Sequence, residues 1–249
     1  PTRGKTEAWC VRHVSGRTGV AAGPRSAHQL KRLQHIIQTR GLKPDVDSWS
    51  DEVRDLMGGI EPLCGGEVFL TPAGSLHTMF AAGADSVLVI DELQQGYGES
   101  LLPVLSKVLM VQNDILSVQV HPDDHTVSEA VAGRLEVGQD LLTNPTVRVY
   151  DFGRRPGEEP ELGFTLVSPN AGLRLVSPVR VEPAPGHLVE ATVADLHFVR
   201  CRVSLRPGLE RSLEPLYGSF RVLHCLAGSG SLSADGDRRA LSAGTNTGS

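Results

Sequence analysis

Residues 115–121 carry the clearest alternation of apolar and polar side chains in the chain. A strand places every second residue on the same side. One side of this segment is apolar and consists of Leu116, Val118 and Val120. The other side is mostly polar and consists of Ile115, Ser117, Gln119 and His121. The period of two therefore predicts a strand whose polar face includes a glutamine and a histidine.

A different spacing, with apolar residues three and four positions apart, predicts a helical insertion at residues 26–57. The apolar residues fall into two stretches, namely Leu30, Leu33 and Ile37, and then Val53, Leu56 and Met57. Ser26 and Ser50 stand where N-caps are expected. Gly41 and Gly58 stand where the two helices should stop.

Most of the remaining chain consists of short apolar stretches separated by glycine and proline, which predicts an all-β fold. Residues 84–95 fit either a strand or a helix. From residue 163 onward, short strands alternate with turns, so we predict two domains, residues 1–162 and 163–249. No closing strand is predicted in the polar run 242–249, and we therefore expect the second β unit to be incomplete.

Composition and charge exclude several classes of function. The 249 residues are 40% hydrophobic and carry a net charge of −5, so no basic surface for nucleic acid is indicated. No apolar run reaches the length that spans a membrane. The four cysteines form no CxxC pair, which favours reduced thiols in a cytoplasmic protein. A small anionic ligand remains possible, because a few Lys and Arg side chains suffice to bind one phosphate.

Three segments carry side chains that can bind a metal ion. The predicted strand places Gln119 and His121 on one face. The stretch GKTEAW offers the carboxylate of Glu7, and the stretch PAGSLH offers the imidazole of His77 after a turn. Two histidines, a glutamate and a glutamine suit a borderline metal such as zinc, with one position open to substrate or water. Each segment alone is a weak indication, and the prediction depends on all three occurring together.

These segments resemble the signature stretches of type I mannose-6-phosphate isomerases. The similar stretches are SVQVHPDD, GKTEAW, PAGSLHTM, TVRVYDFGR and LLPVLSKVL, and they cover most of residues 1–160. The resemblance implies cupin jelly-roll barrels with a helical insertion and one bound zinc ion. It also implies that the chain interconverts mannose 6-phosphate and fructose 6-phosphate.

The resemblance also implies roles for individual residues. The zinc ligands would be Gln119, His121, Glu7 and His77. Arg148 and Lys5 would be catalytic, and the substrate would be bound by Ser117, Lys5 and a glutamate. That glutamate is Glu136 or Glu92, and the sequence does not decide between them. The proton carrier is equally open between a carboxylate, a lysine and zinc-bound water.

The order of the segments departs from the family pattern, in which the HPDD strand comes first. Moving residues 84–134 in front of Pro1 would restore the family order, and a cut after Gln95 is an alternative. The order could be natural, engineered or an artefact of numbering. An artefact predicts a gap in the chain at Gly83–Ala84 and at Arg134–Leu135.

Other functions fit parts of the same pattern. The main alternative is a non-catalytic metal-binding cupin that senses or binds a sugar phosphate. A cupin with different metal chemistry would usually carry a GxHxH-type run, which the chain lacks. An all-β protein with buried structural histidines would require four motif matches to be coincidental. The expected partner is a sugar phosphate, and the sequence leaves monomer and homodimer equally open.

Overall fold

Antiparallel β-strands are the predominant regular element of the fold, in agreement with the predicted all-β class. The computed structural model describes residues 4–95, 104–131, 146–154, 160–194, 199–213, 222–234, 237–243 and 246–248. The described strands are β1 Glu7–Ala22, β2 Glu61–Pro62, β3 Val68–Thr71, β4 His77–Gln95, β5 Val104–Gln112, β6 Asp114–Ile115, β7 Val118–Val120, β8 Val147–Tyr150, β9 Arg174–Val176, β10 Val179–Ala184, β11 His187–Ala194, β12 Val199–Leu205, β13 Val222–His224, β14 Ser229–Ala234, β15 Asp237–Ser242 and β16 Asn246–Gly248. The described helices are α1 Ala27–Arg40, a 3-10 turn Val46–Ser48, α2 Asp51–Leu56, α3 Asp124–Val131 and α4 Pro160–Leu166.

The main sheet is built around the long antiparallel pair β1 and β4. Its strand order is β8-β7-β4-β1-β3-β9, while β2 pairs with β1, and β5 and β6 pair with β4. Along this pair, Glu7 lies opposite Gln94 and Ala22 lies opposite His77. Residues 84–95, which the sequence left open between strand and helix, therefore form the second half of β4.

The ribbon of β1 and β4 must curl strongly. A flat strand of 16 residues is about 50 Å long, and Glu7 and His77 belong to opposite ends of the ribbon. Nevertheless, an oxygen of the Glu7 carboxylate lies 3.8 Å from Nε2 of His77. Two register shifts in the pairing, between Val11 and His13 and between Ser15 and Arg17, provide local bends.

One face of this sheet, here called the outer face, is covered by the helices. Phe80, Val118 and Val149 from the strands pack in one buried cluster with Leu33 of α1 and Val53 of α2. Burying apolar side chains of this size stabilises the fold by about 1.5–3 kcal/mol each. The helical insertion predicted at residues 26–57 is thus confirmed, and it lies against the outside of the sheet.

The caps predicted for these helices are confirmed. The Ser26 side chain accepts a hydrogen bond from the backbone N–H of Gln29, and Gly41 ends α1 with a φ of 65°. The Ser50 side chain accepts one from the backbone N–H of Val53 at the start of α2. Each oxygen satisfies a backbone donor that the first helical turn cannot pair internally.

The opposite face, here called the inner face, carries a second buried cluster. Its members include Trp9 and Val11 of β1, Met79 of β4 and Leu109 of β5. These side chains alternate along each strand with those of the outer face, as the pleat requires. The inner face is also the face that carries Glu7 and His77, two residues from Trp9 and from Met79.

The predicted alternation over residues 115–121 is only partly correct. Val118 and Val120 face outward, with Gln119 between them, as expected. However, Ile115 packs in the outer cluster and Leu116 against the inner one, which is the reverse of the prediction. The reason is that the strand is interrupted between β6 and β7, so a single period of two does not continue through it.

A helix at Pro160–Leu166 was not predicted. Its sequence contains a proline and a glycine, which are turn signals. Within the structure, Gly163 lies so close to β8 that an added Cβ would be 2.5 Å from Cγ2 of Val149. Phe164 and Leu166 then join the outer cluster, so tertiary packing stabilises a helix that local propensity does not favour.

The chain divides into two compact units, Pro1–Ser204 and Leu205–Ser249. The boundary predicted at residue 163 falls inside the first unit, because β9 pairs with β3 of the main sheet. The first unit also contains the three-stranded sheet β10-β11-β12. The second unit contains the pairs β13–β16 and β14–β15. None of the helices in the described parts of the chain is long and apolar enough to cross a membrane.

Two further expectations concern the covalent chain. The cysteines Cys10, Cys64, Cys201 and Cys225 are all free thiols. Gly83 and Ala84 both lie within strand β4. The second junction of the rearranged segment, Arg134–Leu135, lies outside the described residues. Pro1 lies outside them as well.

Candidate metal centre

The three segments predicted to form one site are joined by hydrogen bonds of their backbones. The backbone N–H of Lys5 donates to the carbonyl of Pro122 at 3.1 Å, and that of Gly74 donates to the carbonyl of His121 at 2.6 Å. The N–H of Gly4 donates to the carboxylate of Asp124 at 2.6 Å. The segments GKTEAW and PAGSLH are therefore both held against the turn that carries His121.

The turn after His121 is itself fixed by two adjacent carboxylates. The Asp123 side chain accepts a hydrogen bond from the N–H of Thr126 at 2.7 Å and so caps α3. The Asp124 side chain accepts the bond from Gly4 described above. These two residues shape the turn, and the second also positions the strand that carries Glu7.

A buried cluster of Glu7, His77 and His121 forms the centre of the site. One ligand atom from each of the three lies within 4.8 Å of the other two, which is the arrangement that can hold a metal ion. An oxygen of Glu7 lies 3.2 Å from Nε2 of His121, and the side chains are no more than 1% exposed. Three of the four predicted ligands thus converge from three separate segments.

Hydrogen bonds orient His77 for metal binding. Its Nδ1 lies 3.0 Å from the carbonyl oxygen of Ser75, so this nitrogen carries the proton and donates. Nε2 then presents its lone pair toward Glu7 and His121. Burial, together with the charge of His121, lowers the pKa of His77 to about 4. The imidazole is therefore neutral at neutral pH, which is the form that binds metals.

Gln119 lies beside this lone pair. Its Nε2–H donates to Nε2 of His77 at 3.2 Å, since the two residues are directly paired across β4 and β7. A half-turn of the amide would present its oxygen at the same position. The fourth predicted ligand is thus within reach of the cluster, although its side chain is only partly buried.

The carboxylate of Glu7 is ionised and surrounded by positive charge. Lys5 forms a short ion pair with it. Burial alone would raise the pKa of Glu7, but the charges of His121 and Lys5 outweigh this effect and hold the pKa well below its usual value. The Glu7 carboxylate therefore keeps its negative charge inside the protein, which suits it to bind a cation.

Glu92 is the glutamate that the structure brings to the site. It is 3% exposed, pairs directly with Trp9 across the inner face, and has an oxygen 3.7 Å from Nζ of Lys5. Glu136, the other candidate from the sequence, lies outside the described residues. One signal in the sequence favours Glu92. Leu88, Ile90 and Glu92 follow one another at intervals of two residues along β4, and this spacing places all three on the inner face.

Lys5 lies between two carboxylates rather than in a pocket open to solvent. Its side chain is 4% exposed and is ion-paired with Glu7 and Glu92. A buried ammonium in this position compensates two buried negative charges. It is therefore placed to act on atoms close to the cluster, and it is poorly placed to bind a solvated phosphate.

Arg148 completes a row of side chains that crosses three strands. His77 pairs with Gln119, and Gln119 pairs with Arg148, so the three side chains share one face of the sheet. Burial decreases along this row, and Arg148 is exposed. The row thus leads from the buried cluster toward solvent. Ser117, two residues before Gln119, is 9% exposed.

Comparison with known proteins adds no assignment. No protein-family model matches the chain, and no curated protein or solved structure is detectably similar to it. The residues themselves therefore carry the functional argument. They form a site that can hold a metal ion, beside a buried lysine and a second buried carboxylate.

Gly4→Ala is expected to weaken metal binding without directly removing a ligand. A Cβ at Gly4 would lie 2.5–2.6 Å from backbone atoms of Pro122, Asp123 and Asp124, so the turn that carries His121 must shift. We expect the affinity for zinc to fall by about 10–100-fold, as when a residue that orients a ligand is changed. Titration of zinc in competition with a zinc-binding dye measures the affinity of the variant and of the unaltered protein.

Gly172→Ala is the matched control, because nothing lies within 4 Å of a Cβ at that position. An unchanged zinc affinity in Gly4→Ala would show that the close approach of the two segments does not set the geometry of the cluster.

Proposed function

We propose that the chain is a zinc-dependent aldose–ketose isomerase that interconverts mannose 6-phosphate and fructose 6-phosphate. The observation that carries this proposal is the buried cluster of Glu7, His77 and His121 beside Lys5 and Glu92. The resemblance of these segments to type I mannose-6-phosphate isomerases supports it. We further propose that the curled sheet is a cupin-type jelly roll.

Zinc fits the proposed ligands. His77 and His121 offer imidazole nitrogens and Glu7 offers an ionised oxygen, which together with the amide oxygen of Gln119 make a four-ligand set. Neutral imidazole and carboxylate ligands are those that zinc commonly takes in catalytic sites. When bound, the metal would polarise the oxygens of the sugar near C1 and C2 and stabilise negative charge there.

Glu92 is the proposed proton carrier. The reaction moves a proton from C2 of the open-chain sugar to C1 through an enediol, while O1 gains a proton and the C2 hydroxyl loses one. A base must therefore take the proton from C2 and return it at C1. A carboxylate can do both, and Glu92 is buried close to the cluster. Lys5 stabilises the ionised form of Glu92 before the transfer, and it remains paired with Glu7 afterwards.

Metal analysis together with an isomerase assay tests the proposal. We expect about one zinc ion per chain and conversion of mannose 6-phosphate to fructose 6-phosphate, which stops on removal of the metal and resumes on its return. Metal and sugar phosphate bound without turnover would instead favour a non-catalytic sugar-phosphate binder. A protein that binds neither would contradict both functions.

Arg148→Ala is expected to lower turnover by about 10²–10³-fold, because a donor that stabilises developing negative charge is lost. Arg148 is exposed and lies outside the buried cluster, so zinc content should remain near that of the unaltered protein. Steady-state kinetics and metal analysis of the same preparation measure the two effects. Arg174→Ala, which alters another exposed arginine of the main sheet, is the control. Normal turnover in Arg148→Ala would exclude Arg148 from the reaction.

A further inference from the structure

Trp9 and Thr71 are buried polar side chains of the inner face for which the described residues supply no hydrogen-bond partner. Trp9 is 2% exposed and Thr71 is 0% exposed. Neither the indole Nε1 of Trp9 nor the hydroxyl of Thr71 has a partner within the described residues. Buried polar groups are nearly always paired, so these two groups are candidates for hydrogen bonds to a bound ligand.

Both side chains belong to the same part of the sheet as the metal cluster. Thr71 pairs directly with Glu7, and Trp9 pairs with Glu92, so all four share the inner face. The Trp9 ring also packs edge-on against the ring of His77, with a distance of 5.2 Å between the centroids. The two unpaired groups are therefore neighbours of the residues assigned to the reaction.

The chemistry of these groups restricts the partner. An indole N–H only donates, whereas a threonine hydroxyl donates and accepts. Glu7 lies across from Thr71 and Glu92 lies across from Trp9, and the two carboxylates would repel a phosphate or another carboxylate. A neutral group that accepts and donates fits all of these neighbours, and a hydroxyl group is of this kind.

We propose that Trp9 and Thr71 form a subsite that binds a hydroxyl group of the sugar. This inference rests on the proposed function and extends it. In the proposed binding mode, the hydroxyl-bearing carbons of the sugar face Trp9 and Thr71, and the phosphate of the sugar lies away from the carboxylates. Trp9 then donates a hydrogen bond to the substrate, in addition to packing in the apolar cluster.

The indole N–H signals of the protein test this inference. The chain contains two tryptophans, and the indole of Trp49 donates to the carbonyl of Lys43 at 2.9 Å. Trp49 is thus an internal control that already has its partner. Mannose 6-phosphate is added to zinc-loaded, ¹⁵N-labelled protein, and inorganic phosphate is added to a second sample. Assignment comes from Trp9→Phe, or from Trp49→Phe if the first variant does not fold.

We expect mannose 6-phosphate to move the Trp9 indole proton signal downfield and to slow its exchange with water, with no change at Trp49. Binding is measured in parallel by calorimetry. Sugar binding without a change at Trp9, or an equal change with inorganic phosphate, would overturn the subsite and leave the isomerase proposal intact. An absence of sugar binding by calorimetry would overturn the proposed function, and the subsite with it.

Kinetics provide an independent measurement. Thr71→Val keeps the shape of the side chain and removes its hydroxyl, whereas Trp9→Phe removes the indole N–H together with one ring and keeps an aromatic side chain. Each is expected to lower kcat/KM by about tenfold, the effect of one lost hydrogen bond, with zinc content unchanged. Trp49→Phe is expected to leave kcat/KM unaltered. Unaltered kcat/KM in both Trp9→Phe and Thr71→Val would overturn the subsite.

Discussion

His121→Ala is expected to remove metal binding and the proposed isomerase activity together. Nε2 of His121 lies 3.2 Å from the Glu7 carboxylate, and the side chain is 1% exposed, so water cannot easily take its place in the cluster. Changing a residue that only orients a ligand already costs about 10–100-fold in affinity, and the loss of a ligand itself should cost more. Activity should fall below detection at limiting zinc.

The measurement is zinc content and turnover in the same samples of His121→Ala, with added zinc as a further condition. His125→Ala is the matched control, because His125 lies four residues later on α3 and is exposed. The control should retain one zinc ion and full activity. Full zinc occupancy in His121→Ala would show that this residue is not a ligand.

Glu92→Gln is expected to abolish most turnover while zinc remains bound. The substitution keeps the size of the side chain but removes its ability to take a proton, and general acid–base catalysis contributes about 10²–10⁴-fold to rate. Lys5 keeps its ion pair with Glu7, so the cluster should remain assembled. The decrease should appear in kcat rather than in zinc content.

Glu136→Gln separates the two glutamates that the sequence left open. It should retain normal kcat if Glu92 is the proton carrier. A loss of activity in Glu136→Gln, with normal activity in Glu92→Gln, would reverse the assignment. Exchange of the C2 proton with solvent deuterium, followed by NMR, gives a direct readout of proton transfer in each variant.

Local features of the structure could be predicted from the sequence because they depend on neighbouring residues. Ser26 and Gly41 fix the ends of α1, since an N-cap hydroxyl and a glycine with positive φ act within one helical turn. The alternation over residues 118–121 placed Gln119 opposite to Val118 and Val120. The three segments that supply Glu7, His77 and His121 were likewise recognisable as short motifs.

Features that depend on distant parts of the chain were decided only by the tertiary structure. The proximity of Glu7 and His77 follows from the curl of a ribbon in which they occupy opposite ends. The burial of Glu92 beside Lys5 depends on the pairing of β4 with β1. The pairing of β9 with β3 and the helix at Pro160–Leu166 depend on contacts with the main sheet. Sequence patterns report which face a residue takes along its own strand, whereas strand pairing and sheet curvature determine which residues meet across that face.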